Sequence, residues 1–233
     1  MQTLQEIRSL LDAYGLAPKR SMGQNFLIDQ NLIRGLVDAS GVAAGELVLE
    51  IGPGTGTLTE ELLDRGCRVV ACELDNGMVR LLTDRFRDRS TGQFTLIAGD
   101  CLAGKSELNP EITESLGGSE FRLIANLPYG AASPLMVLLA RNSMCLGQYV
   151  TIQREVAERI TARPGSRAYG RLSVLAQWRF EPRIVLDLPP QAFTPPPKVS
   201  SAVVHILPRP APLAPARPEA LTRLVAAAFN QRR

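Results

Sequence analysis

The apolar run Leu47-Val48-Leu49-Glu50-Ile51 passes without a break into Gly52-Pro53-Gly54-Thr55-Gly56 and then into Thr57-Leu58-Thr59-Glu60. The run is too short for a helix and reads as a buried strand. Glycines at alternate positions allow a tight turn and close approach of a ligand to the backbone. Thr57 to Glu60 then open a helix with the pattern of a capping box. Strand, glycine turn and helix amino terminus together make a site for a nucleotide-type cofactor, because the helix end favours a negative group. A dinucleotide fingerprint G-x-G-x-x-G would need glycine at 57, where Thr57 stands.

The next two apolar runs repeat the arrangement. Arg68-Val69-Val70-Ala71-Cys72 delivers Glu73, which lies 17 residues beyond Gly56, near the offset at which an acid meets ribose hydroxyls in βαβ sites. Asp75 follows two positions later. Phe94-Thr95-Leu96-Ile97-Ala98 ends at Gly99-Asp100, where a carboxylate can accept from the amine of a bound adenine. Strands separated by helical stretches predict an α/β fold with a mostly parallel sheet.

A further buried strand, Phe121-Arg122-Leu123-Ile124-Ala125, leads into Asn126-Leu127-Pro128-Tyr129. An amide, a rigid X-Pro step and an aromatic ring at a strand's carboxyl end suit the holding of a flat base that carries an exocyclic amine. That amine is a poor nucleophile while its lone pair is delocalised into the ring. If the Asn126 oxygen and a backbone carbonyl accept its two hydrogens, the lone pair localises toward an electrophilic methyl. Pro128 stiffens the turn and Tyr129 is expected to stack on the base.

The rest of the chain frames these segments. Apolar residues at helical spacing predict helices over 3–14, stopped by Gly15 and Pro18, and over 29–39, capped by Asp29 and stopped near Gly41. Between them, residues 19–27 are basic and polar and read as a mobile loop able to cover a site. Ser133-Pro134 is a helix start signal, and 148–152 reads as a strand. Arg154, Arg159, Arg163, Arg167 and Arg171 recur beside Tyr169, an electrostatic footprint for RNA phosphates. Residues 182–186 and 201–206 predict antiparallel strands that close the sheet. The proline-rich stretch between them is expected to display the Phe193 ring as the second face of a base sandwich. Pro208 to Pro218 reads as a semi-rigid linker, followed by an amphipathic helix over 219–233.

Composition bounds the alternatives. The 233 residues are 45% apolar with a net charge of only +3, which suits an ordinary globular protein with a sizeable core. No apolar run approaches a membrane span, and Glu6 and Asp12 stand where a targeting peptide avoids acids, so a cytoplasmic setting is expected. Cys67, Cys72, Cys101 and Cys145 have no C-x-x-C spacing and the only histidine is His205, so buried thiols are expected and no metal site. His205, in mid-strand, reads as structural.

Glu50-x-Gly52-x-Gly54-x-Gly56, acid included, resembles the first motif of S-adenosylmethionine-dependent methyltransferases. Together with Gly23-Gln24-Asn25-Phe26-Leu27, Asn126-Leu127-Pro128-Tyr129, Gln153-Arg154-Glu155-Val156-Ala157, the segment 164–173 and Phe193-Thr194-Pro195-Pro196-Pro197-Lys198-Val199, it occurs in the order and spacing of one family. From residue 16 to 207 the chain resembles the ribosomal RNA adenine dimethyltransferases, most closely the branch acting on small-subunit RNA. The resemblance implies a Rossmann-like class I methyltransferase domain over 1–207, with a seven-stranded, mostly parallel sheet. It implies for 208–233 a proline-rich linker and the truncated start of a helical domain. It further implies that Asn25, Leu27, Gly52, Gly54, Glu73, Asp100 and Asn126 bind S-adenosylmethionine, and that Asn126, Leu127, Tyr129 and Phe193 hold the target adenine. The implied protein is a monomer that dimethylates adenine N6 during small-subunit biogenesis, without metal or membrane. Three alternatives stand beside it: the macrolide-resistance enzymes of large-subunit RNA, which usually have Ile at the position of Leu127; DNA or protein-amide methyltransferases, which should lack the Phe193 loop; and an RNA-binding assembly factor on the same fold. Gly130-Ala131-Ala132-Ser133 and Ser200 depart from the family's usual residues without removing a proposed contact.

Overall fold

The computed structural model describes residues 1–19, 22–89, 92–104, 107–178, 180–209 and 218–230; for Tyr129, Pro218, Glu219 and Asn230 it describes the backbone alone. Alternation of apolar side chains builds the sheet. Strand β2 (Leu47–Ile51) is buried at every position, as a central parallel strand covered on both faces must be. Leu49 and Ile51 enter one core cluster, with Leu123 of β5 (Phe121–Asn126) and Cys72 of β3 (Arg68–Glu73). Val48, Val69, Ala71 and Ile124 enter the other. Successive side chains of one strand point to opposite faces, so the same few residues fill both layers.

With β1 at Phe26–Leu27, β4 at Phe94–Ala98, β6 at Cys145–Gln153, β7 at Phe180–Leu188, β8 at Phe193–Thr194 and β9 at Ser201–Pro208, the main sheet has seven strands in the order β4-β3-β2-β5-β6-β9-β7. The first five run parallel, and β9 is antiparallel to both of its neighbours. The two strands read as closing the sheet do so, with β9 inserted between β6 and β7. β1 and β8 form a separate two-stranded ribbon in which Leu27 faces Phe193.

Helix α1 (Leu4–Ala13) carries the full capping box, Thr3 with Glu6. Helix α2 (Gln30–Ser40) is capped by Asp29 and ends at Gly41, whose φ of 61° needs no Cβ. Helix α3 (Thr57–Asp64) departs from expectation: its N-cap is Gly56, and no side chain caps it. The Thr57 hydroxyl instead donates to Gln2 Oε1 at 2.6 Å, and Glu60 pairs with the amino-terminal ammonium at 2.8 Å. A capping box needs an oxygen-bearing N-cap side chain, and the glycine turn takes that place, which leaves the first N–H groups of the helix open.

Helices α4 (Asn76–Arg85) and α5 (Pro110–Leu116) follow β3 and β4. Helix α6 spans Tyr129–Leu139, so it starts four residues before the Ser133-Pro134 signal and contains Pro134. Pro128 starts it, since its carbonyl accepts from the N–H of Ala131 at 3.0 Å and of Ala132 at 3.2 Å. The donor that Pro134 lacks would have served the carbonyl of Gly130, an exposed residue. Helices α7 (Arg154–Thr161) and α8 (Arg171–Gln177) cover the far side, and α9 (Pro218–Asn230) lies against α8 with Val225 buried. The expected linker between β9 and α9 lies largely outside the described residues.

Phe193 is not displayed. Pairing with β1 turns its ring inward against the cluster that holds Leu188, Ala192 and Val203, where it is 3% exposed. Burial of an aromatic ring outweighs the exposure that the surrounding prolines suggested. Phe193→Ala should therefore cost about 3–5 kcal/mol of stability, seen as a lower urea midpoint, with Phe193→Leu retaining most of it. Loss of activity without loss of stability would return the ring to the base.

Candidate functional site

The chain leaves β2 toward β3 and β4, then returns to place β5 on the other side of β2. At such a reversal the crevice beyond the carboxyl ends of the strands is open, and ligands bind there. A cavity of about 540 Å³ occupies this position. Its lining includes Asn25, Leu27, Gly52, Gly54, Glu73, Asp100, Asn126 and Leu127, eight residues singled out from the sequence.

On the β2 to β4 side the groups suit a nucleoside. Gly52, Gly54 and Gly56 have φ values of 70°, 59° and 81°, all in the region that disfavours a Cβ. A Cβ on Gly54 would come within 2.8 Å of the Phe26 ring. Glu73 is buried at the end of β3, where its two oxygens accept from the N–H of Gly54 at 3.1 Å and of Asp75 at 2.9 Å. Each oxygen retains a lone pair for a ribose hydroxyl. Burial pushes the Glu73 carboxyl above the ordinary range, against the pull of those two N–H groups. Asp100 is exposed at the end of β4; its Oδ1 accepts from Leu102 N at 3.0 Å, and its other oxygen is left for a ligand amine. Glu50 is fully buried, and burial pushes its carboxyl up to about 8, opposed by the hydroxyl that Thr59 donates at 2.7 Å and reinforced by the nearby Glu73.

On the β5 side the groups suit an amine. The Asn126 amide donates through Nδ2 to the carbonyl of Asn25 at 3.0 Å. A carbonyl partner demands the NH₂ end, so the amide has one orientation and Oδ1 is the acceptor left over. The Leu127 N–H is spent on Thr151 O at 3.1 Å in the sheet, while its side chain is buried. Among the described residues no N–H is directed at the Leu127 carbonyl. Pro128 abuts the glycine turn, where a Cβ on Gly52 would meet its Cγ at 2.8 Å. Tyr129 opens α6, and its ring lies outside what is described. Phe193 does not line the cavity.

The loop read as a cover does lie over the site: Met22 to Leu27 line the cavity. Its sequence marks it as polar and basic but not which residues it holds. Phe26 over Gly54, the guanidinium of Arg85 on the Thr55 carbonyl, and the bonds from Lys19 and Gln24 to Asp75 carry no sequence signal of their own. The arginine series divides. Arg154 is tied to Glu158 and Asp187, and Arg159 to Glu155. Arg163, Arg167 and Arg171 are exposed and form no ion pair with any described residue. All four cysteines are buried, and His205 sits edge-on to Tyr149 within the sheet. Among the described residues, no group of His, Cys, Asp or Glu could hold a metal and no helix is long and apolar enough to cross a membrane.

Strand order and the crevice at the reversal define the class: a Rossmann-like methyltransferase fold of the class I, S-adenosylmethionine-dependent kind. The structure of the 23S rRNA methyltransferase ErmE is similar, with a TM-score of 0.69 at 27% identity over 87% of this chain and 76% of that one. Residues 15–233 match the family model of ribosomal RNA adenine dimethylase, and the chain belongs to that family. Ribosomal RNA small subunit methyltransferase A of Ruegeria pomeroyi is 46% identical over 240 residues, which cover 100% of this chain and 82% of that protein. The protein of the same name from Rhodospirillum rubrum is 45% identical over 232 residues, covering 99% and 78%.

The proton on Glu50 ties stability to pH. With its carboxyl raised to about 8 from 4.5, the folded chain holds a proton that the unfolded chain has lost across that window, so stability falls as pH rises through it. Glu50→Gln keeps an acceptor for Thr59. Melting curves should show it level with the parent near pH 5 and several degrees more stable at about pH 8.5 (about 1 kcal/mol or more).

Proposed function

We propose that the chain transfers methyl groups from S-adenosylmethionine to the exocyclic amine of adenine in small-subunit ribosomal RNA, twice on the same nitrogen, as a step in small-subunit biogenesis. The carrying observation is the anchored Asn126 amide, whose Nδ2 is held by the Asn25 carbonyl so that Oδ1 is an acceptor. Oδ1 and the Leu127 carbonyl would take the two hydrogens of the target amine and localise its lone pair. Pro128 keeps both acceptors in place by its contact with Gly52. S-adenosylmethionine, when bound, supplies the electrophilic methyl. The residues suit it: Gly52 and Gly54 let it near the backbone, Glu73 retains lone pairs for ribose, and Asp100 has a free oxygen for an adenine amine. No strong base is needed, since the amine proton becomes acidic once the nitrogen is alkylated. Catalysis is chiefly positioning. The target must be unpaired or flipped out to reach the crevice.

In this reading residues 1–207 form the catalytic domain and 208–233 the linker and first helix of a second, helical one. The protein acts as a monomer in the cytoplasm, where subunits are assembled. Arg163, Arg167 and Arg171, which no described acid neutralises, are the RNA phosphate contacts. The names of the relatives near 45% identity favour the small subunit over the large.

Labelled methyl should pass from S-adenosylmethionine to small-subunit particles that lack adenine dimethylation, and not to large-subunit particles. Asn126→Ala should lower the rate by about 100-fold or more, with cofactor binding still measurable by calorimetry. Label appearing only in large-subunit particles would sink the reading. Replacing Arg163, Arg167 and Arg171 together by Gln should make the salt dependence of particle binding shallower, by roughly 2 in the log–log slope, with cofactor affinity unchanged.

A further inference from the structure

Asp75 is the N-cap of α4, and its Oδ1 accepts from Gly77 N at 2.9 Å. A cap needs no more than that, yet the side chain is 1% exposed and takes two further donors from the covering loop. Lys19 Nζ donates to Oδ1 at 2.8 Å and Gln24 Nε2 to Oδ2 at 2.9 Å. Burial would raise this carboxyl, but the bonds from Lys19 and Gln24 outweigh it and hold it below the ordinary carboxylate range. Gln24 is itself fixed, because its Oε1 accepts from Lys19 N at 2.7 Å. The residue after Gln24 is Asn25, whose side chain folds back onto Gly23 O at 3.0 Å and whose carbonyl holds Asn126 Nδ2.

Besides the pairing of Phe26 and Leu27 with β8, the loop is thus fastened at two points, to Asp75 just beyond β3 and to Asn126 at the end of β5, strands that flank β2. We propose that Asp75 is a positioning residue for methyl transfer, acting through Gln24 and the Asn25 carbonyl to hold the Asn126 amide with its oxygen toward the target amine. This rests on the function proposed above. Without the Asn25 carbonyl as a stop, the Asn126 amide can turn its NH₂ toward the amine, donor against donor. Glu73 is bonded through the Asp75 backbone N–H, which a side-chain substitution leaves intact, although loss of the Asp75 charge removes one influence that raises the Glu73 carboxyl. The effect should therefore fall mainly on turnover, with a smaller one on cofactor affinity because Met22 to Leu27 line the same cavity.

Asp75→Asn is the variant to make. Asn caps helices as well as Asp does, so α4 is kept. Its oxygen serves Gly77 and Lys19, but its NH₂ then faces the NH₂ of Gln24. Gln24 cannot rotate to suit it without losing the Lys19 N–H. A second variant, Asp75→Asn with Gln24→Glu, reverses donor and acceptor and restores the bond, and the carboxylate introduced in the loop still accepts from Lys19 N. The first readout needs no turnover: hydrogen exchange of the Asn126 side-chain NH₂, assigned by its loss in Asn126→Ala. In Asp75→Asn that exchange should speed up about tenfold and kcat should fall about tenfold, the share of one such bond, while cofactor affinity stays within about threefold and the melting temperature holds. The double variant should recover both. Unchanged Asn126 exchange in Asp75→Asn, or a double variant that recovers neither, overturns the proposal. Absence of label from the parent chain on small-subunit particles would instead count against the proposed function, and the exchange result would still decide the role of Asp75.

Discussion

The site depends on one missing methyl-sized group. Where Gly52 lacks a Cβ, the Pro128 ring fills the space, and this contact joins the turn after β2 to the turn after β5. Any side chain at 52 would push the two strand ends apart, against a backbone already at φ 70°. The groups proposed for the cofactor hang from β2, β3 and β4, and the acceptors proposed for a second ligand hang from β5. The glycine–proline contact sets the separation between the halves. Transfer between two bound molecules is sensitive to separations of an ångström, so a rigid apolar contact serves better than a mobile polar one.

Electrostatics follow the same division. Two acids, Glu50 and Glu73, are buried beside the glycine turn, and the cation nearest the turn by hydrogen bonding, Arg85, contacts a carbonyl and Glu60 rather than either of them. Burial raises both carboxyls, that of Glu50 to about 8, so the turn carries less negative charge near neutral pH than its two acids suggest. The outer surface near α7 and α8 is cationic, because the acids there neutralise Arg154 and Arg159 and, among the described residues, leave Arg163, Arg167 and Arg171 without an ion pair.

Much of this is legible in the sequence, and the limits are physical. β2 through β5 and their terminal residues can be read because each is an apolar run ended by glycine or an acid, local signals that survive without knowledge of neighbours. The start of α3 misleads because a capping-box pattern is local while the N-cap is already taken by the glycine turn. α6 begins four residues early because Pro134 signals a start, although a helix can absorb it where the orphaned carbonyl belongs to an exposed residue. Phe193 misleads because prolines announce a loop, whereas its burial depends on pairing with Leu27, which lies 166 residues earlier. Long-range pairings of this kind leave no trace in a window of sequence. The Asp75 contacts are hidden for the same reason.

The β1–β8 ribbon has a consequence for how the chain is made. Residues 26 and 27 are made long before their partners at 193 and 194, and the sheet itself is completed when β9 slots between β6 and β7. Until then the covering loop has its fastenings at Asp75 and Asn126, and Phe26 has Gly54 to lie against, but the strand that pairs with Phe26 and Leu27 is missing. The described cavity is lined only by residues between 22 and 131, so a nascent chain holds its whole lining before β8 and β9 are made. The last strands to be made therefore brace a site whose lining is already in the chain, rather than supply that lining.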